Sequence, residues 1–130
     1  MAGEKYLLFG HFYGECLGEQ CIETYKLTDS NLYEDLEDNY GGGSYDFVEM
    51  SNAEFELVQD LMTFLPQELL SQPDQTFGCP DCLDQGGVLI SHFQNGTEKT
   101  WRIDNSVDQV PEYLHDFVAE VHERIALLSN

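Results

Sequence analysis

Apolar positions along this chain recur at two periods, and the change from one to the other marks out its elements. Tyr6 to Tyr13 reads Tyr-Leu-Leu-Phe-Gly-His-Phe-Tyr, rich in aromatic residues and without helix caps, which predicts a strand. Cys21 to Leu27 alternates, with Ile22, Thr24 and Lys26 on one face and Cys21, Glu23, Tyr25 and Leu27 on the other. A glycine-containing turn over 14–20 separates them, so the two predict a hairpin whose tip carries Cys16 and Cys21. After a polar turn from Thr28 to Asn31, Leu32 to Leu36 predicts a short third strand and Tyr45 to Met50 a further one. The stretch 35–44, with its three successive glycines, predicts a mobile loop.

The period then lengthens. Ser51-Asn52-Ala53-Glu54 is a capping box, in which the Ser51 hydroxyl accepts from the Glu54 backbone while the Glu54 side chain reaches back to Ser51. Phe55, Val58, Leu61, Met62 and Leu65 follow at helical spacing and predict one stripe packed on a sheet, interrupted by Pro66, after which Gln67 to Ser71 adds a short turn of helix that Pro73 closes. Val88 to Phe93 and Glu98 to Ile103 return to strand character. Asn95-Gly96 lies between them, and both residues tolerate the positive φ that a tight hairpin turn demands. Lys99, Trp101 and Ile103 share a face, which places the single tryptophan against a helix. A last helix opens near Pro111, with Leu114, Phe117, Val118, Val121, Ile125 and Leu128 as its core stripe. The reading is one α+β domain over 1–130: an antiparallel sheet of four to six strands with two helices packed on one face.

Charge changes the picture of partners. The chain carries 25 acidic residues against 5 basic ones, a formal charge of −20, and only Lys5, Lys26, Lys99, Arg102 and Arg124 are cationic. No phosphate-binding stripe can be built from these, so nucleic acid and anionic membrane are excluded as partners, while a basic protein or a divalent cation is favoured. With 42% hydrophobic residues the acidity does not imply disorder. Met1-Ala2-Gly3-Glu4-Lys5 has no secretory pattern and no apolar run reaches membrane length, which predicts a cytoplasmic protein.

The candidate chemistry lies in the cysteines. Cys79-Pro80-Asp81-Cys82 has knuckle spacing, and Cys16 and Cys21 could complete a tetrahedral zinc site of four thiolates. The same pairs read first as reduced thiols in turns, and last, behind the zinc site, as disulfides. A redox motif is disfavoured because Gly86-Gly87 is poor helix material and Asp81 and Asp84 would raise a neighbouring thiol pKa. No phosphate loop, zinc-protease, serine-hydrolase or dinucleotide pattern is present, and a cysteine nucleophile served by His11 or His92 rests on residue type alone. His115 and His122 are seven residues apart, two turns along the last helix, and read as rim histidines. The expectation is a non-enzymatic acidic binding domain, with a structural zinc domain as the alternative and a thiol enzyme behind both.

The second half, from the helix ending in Leu65-Pro66 through Asp84-Gln85-Gly86-Gly87, Trp101-Arg102-Ile103-Asp104 and Pro111-Glu112-Tyr113-Leu114-His115-Asp116-Phe117-Val118, resembles small uncharacterised bacterial domains. From Phe55 to Leu128 its order of elements is also similar to that of emfourin, a small protein inhibitor of thermolysin-like metalloproteases. That similarity covers apolar positions and the Pro111-x-x-Leu114 helix start, not the cysteine pairs. It implies a binding role.

Overall fold

A computed structural model of the chain describes residues 5–14, 16, 21–40 and 44–128. Most of the turn over 14–20 and the three glycines of the expected mobile loop lie outside the described residues. Seven strands form one sheet: β1 (Lys5–Phe12), β2 (Ile22–Leu27), β3 (Leu32–Asp35), β4 (Phe47–Glu49), β5 (Gln75–Phe77), β6 (Gly87–Gln94) and β7 (Thr97–Asp104). Their order is β4-β3-β2-β1-β6-β7-β5, antiparallel throughout except for the parallel pair β5 and β7. Three α-helices accompany the sheet: α1 (Asn52–Val58), α2 (Gln67–Leu70) and α3 (His115–Leu128).

Two counts depart from the expectation. The sheet has seven strands rather than four to six, because Gln75–Phe77 adds an edge that no alternation announces. Gln75 pairs with Trp101 and Phe77 with Ile103, so the exposed edge of β7 creates this strand. The expected first helix stops at Val58, and the stripe continues through a 3-10 turn, Leu61–Phe64, into the short α2, giving three helices rather than two. At the break Arg124 of α3 donates to the Leu57 carbonyl, one of the last-turn carbonyls a helix leaves without an internal partner, and also pairs with Asp60.

Local signals elsewhere translate directly. Ser51 and Glu54 form the reciprocal capping box. Asn95 and Gly96 take φ of 57° and 79° between the paired residues Gln94 and Thr97, the two-residue turn whose twist suits a hairpin. The α3 stripe is buried from Phe117 to Leu128, and Leu114 enters through a 3-10 turn after Pro111. The core lies between the helices and one sheet face, where Leu7, Phe9, Tyr25, Val88, Ile90, Trp101 and Ile103 meet Val58, Leu61, Leu69 and the α3 stripe. Trp101 is fully buried, and its indole N–H donates to the Pro73 carbonyl at 3.0 Å.

Candidate functional site

The second face of the sheet is built from the alternate positions of the same strands. Tyr6, Leu8, Gly10 and Phe12 of β1 stand there with Leu89, Ser91 and Phe93 of β6, as the register and the pleat require. Lys26 and Ile22 of β2, Tyr33 of β3 and Phe47 of β4 extend the face. Leu8, Phe12 and Leu89 are only 5%, 7% and 6% exposed, yet they are not part of the cluster in which the helices pack. Aromatic contacts supply the shielding: Tyr6 stacks on Phe93 with centroids 4.9 Å apart, and the Lys26 ammonium lies 4.6 Å from the Tyr6 centroid, 5.8 Å from that of Tyr33 and 5.9 Å from that of Phe47. The charge of Lys26 is thus turned inward on aromatic rings. Glu98, which accepts from the Tyr6 hydroxyl, and Glu49 stand exposed at opposite margins.

At one end this face runs into a cleft of about 530 Å³ lined by Tyr13, Gly14, Cys16, Cys21, Ile22, Tyr40 and Asp81. Tyr40 also packs edge-on against Phe12. Asp81 organises the cleft. Its Oδ2 accepts from the Gly14 backbone at 2.9 Å and from the Tyr40 hydroxyl at 2.6 Å, and its Oδ1 accepts from the Gly86 backbone at 3.0 Å. The Tyr40 hydrogen bond, reinforced by the two backbone donors, holds the Asp81 carboxyl below the usual carboxylate range, while the same bond pushes the Tyr40 phenol up.

The four cysteines lie at this junction. Cys16 is bonded to Cys21 and Cys79 to Cys82, both as disulfides, and none of the described cysteines is free. The turn bearing Cys79 and Cys82 and the hairpin end bearing Cys16 and Cys21 are neighbours, as a shared zinc site would require, but the link between them is the Asp81 carboxylate. Among the described residues no group of three or more His, Cys, Asp or Glu side chains is placed to hold a metal ion. Behind the Cys79 turn, Asp104 is buried and accepts from Cys79 N, Gln85 Nε2 and Ser106 N. Burial presses its carboxyl upward, and these donors outweigh it and hold the group below the usual range.

The histidines are distributed. His122 of α3 approaches His11 of β1, with ring centroids 6.5 Å apart. The Asn105 amide donates to Tyr13 Oη and Gln85 O, so its Oδ1 must accept, and His122 carries its proton on Nε2. His115 is bonded to the Val110 carbonyl, and His92 lies on β6 on the helix-facing side. Periodicity anticipated which side chains share each sheet face. It missed Asp81 as an organiser, because its three partners lie on three separate segments; the one available signal was an aspartate inside a C-x-x-C turn.

No protein-family model matches the chain, and no curated protein matches it. No helix among the described residues is long and apolar enough to cross a membrane.

Proposed function

We propose that the protein is a non-enzymatic binding domain whose second sheet face, turned away from the helices, receives a cationic partner protein. The observation that supports this most is the two-sided apolar character of the central strands. An antiparallel sheet with one solvated face ordinarily alternates apolar and polar residues. Here Tyr6, Leu8 and Phe12 of β1 and Leu89 and Phe93 of β6 occupy the positions where polar residues belong. Leu8, Phe12 and Leu89 are already buried, so the part of this face a partner can reach is the half-buried rim of Tyr6 and Phe93 with Lys26 between the rings.

Charge selects the occupant. A second copy would set −20 against −20, whereas a partner with lysines or arginines around an apolar centre meets Glu49 and Glu98 at the margins. The test uses a synthetic peptide alternating leucine and lysine, titrated calorimetrically at low and high salt, with backbone amide shifts mapped by NMR. Shifts confined to β1, β2 and β6, and affinity about tenfold weaker in Phe93→Ser, a loss of about 1.4 kcal/mol, are expected. A lysine-only peptide that binds equally well, or shifts confined to α1 and α3, would sink the proposal.

A second reading, a structural zinc held by Cys16, Cys21, Cys79 and Cys82, rests on the C-x-x-C spacing and requires both disulfides to open and the two pairs to converge. One zinc per chain with four thiols reactive only after chelation would establish it. Metal-free protein with no reactive thiol before reduction would remove it.

A further inference from the structure

The Cys79–Cys82 disulfide encloses the residue on which three segments of the chain converge. Only Pro80 and Asp81 lie between the two cysteines, and Asp81 gathers Gly14 from the end of β1, Tyr40 from the loop after β3, and Gly86 from the start of β6. The loop holds an unusual density of left-handed backbone: Gly78, Asp81, Asp84 and Gly86 have φ of 72°, 62°, 64° and 78°. Two of these are aspartates, which adopt that conformation at a cost unless something holds them there. Asp84 takes it outside the ring, whereas Asp81 lies inside the ring and is fixed there by its hydrogen bonds to Gly14, Tyr40 and Gly86. Both of its cysteines are exposed, and the next residue, Leu83, is 87% exposed, so a second molecule can reach the bond.

We propose that Cys79–Cys82 is a redox lock on the neighbouring cleft, opened by a dithiol reductant. A thiolate of the reductant attacks one cysteine sulfur, the Cys79–Cys82 bond breaks, and the departing sulfur leaves as a thiolate that takes a proton from solvent. The reductant's second thiol then displaces the mixed disulfide. Two electrons pass to the pair, both cysteines end as thiols, and the reductant ends as its own cyclic disulfide. With the ring open, Asp81 relaxes from its left-handed conformation and Gly14 and Tyr40 lose their shared acceptor. The cleft then opens at the edge of the sheet face, beside Phe12 and Ile22.

Local charge sets which reductants act. Asp81 and Asp84 lie within two residues of the pair and repel an anionic reductant, so the bond resists monothiols such as glutathione. A dithiol, whose second step is intramolecular, overcomes this. The lock would stand shut in an oxidising compartment and open in one kept reduced by dithiol proteins. It does not depend on the sheet face binding a partner.

The test follows the Tyr40 phenol by NMR with ring-labelled tyrosine in the full chain, oxidised, treated with dithiothreitol, and as the double variant Cys79→Ser/Cys82→Ser. Asp81→Asn supplies the reference for an unlocked cleft, and Trp101 fluorescence reports whether the core persists. The oxidised protein is expected to titrate Tyr40 above its ordinary value. The reduced protein and the double variant are expected to match Asp81→Asn, with Trp101 unchanged and glutathione ineffective. A Tyr40 titration unaffected by reduction would overturn the lock. So would loss of the Trp101 signal together with the bond, which would make the disulfide a staple of the whole fold, or the finding that Cys79 and Cys82 are not bonded in the purified protein.

Discussion

Single residues carry different burdens according to what their removal strands. Trp101 fills the centre of the core and also satisfies the Pro73 carbonyl next to β5. Phenylalanine in its place would leave a void and a carbonyl without its donor. Trp101→Phe is expected to cost about 2–4 kcal/mol, read as a lower urea midpoint with unchanged slope. Asp81 differs: its partners Gly14, Tyr40 and Gly86 belong to turns outside the core, so its loss should loosen the cleft while the helices stay packed. The type and position of both residues were plain in the sequence. That Trp101 faces a helix follows from alternation, whereas the convergence on Asp81 depends on chain segments far apart in order.

Among the elements, α1 and α3 are joined by one cation. Arg124 is buried along its stem, donates to the Leu57 carbonyl, and pairs with Asp60 and with Glu120 one turn back on its own helix. Phe64 packs on the guanidinium at 5.5 Å. Both carboxylates are at least partly solvated, so removing the arginine leaves no buried, uncompensated charge behind, and the full penalty of a broken buried pair does not apply. What goes is the packing of the stem and the bond to the exposed end of α1. Arg124→Ala is expected to cost about 1–2 kcal/mol and to speed amide exchange at the end of α1 before that of the β1–β6 pair. Exchange accelerated equally throughout would show that α1 and the sheet unfold as one unit. The α1 capping box was legible because its two residues are three apart. The bond that satisfies the end of α1 was not, because its donor comes from the last helix.

For the molecule as a whole, the question is how a charge of −20, the buried His92 and the half-buried His122 set the response to acid. Burial lowers the His92 pKa, with Lys5 and Lys99 adding to it, and burial lowers that of His122, with His11 adding to it. Asn105 accepts the Nε2 proton of His122, a bond the neutral and the protonated ring can both make, so the lowering comes from burial and from His11. A histidine depressed in the fold binds protons more readily when unfolded. Its stabilising contribution is therefore complete above about pH 6.5 and is lost as pH falls from there towards the folded value. Relief of acidic repulsion works the other way, but the carboxylates take up protons mainly below about pH 5. The urea midpoint should accordingly fall between about pH 7.5 and 5.5, and His122→Gln should flatten part of that fall. A midpoint that rises on acidification would mean that repulsion governs the whole range.

The sequence by itself determined six of the seven strands, the Asn95-Gly96 turn, the Ser51 cap and the buried stripe of α3. Each is written in residues close together, where the period of the backbone decides which side chains share a face. Tertiary structure alone decided the rest. Gln75–Phe77 is a strand only because β7 offers an edge, a last-turn carbonyl of α1 finds its donor in Arg124, and the cysteine-bearing turns meet through Asp81. These contacts join residues whose separation along the chain leaves no local trace. The second face was likewise decided by tertiary structure: the register of β1 against β6 put Tyr6, Leu8 and Phe93 on one side of the sheet, and the helical stripes packed against the other.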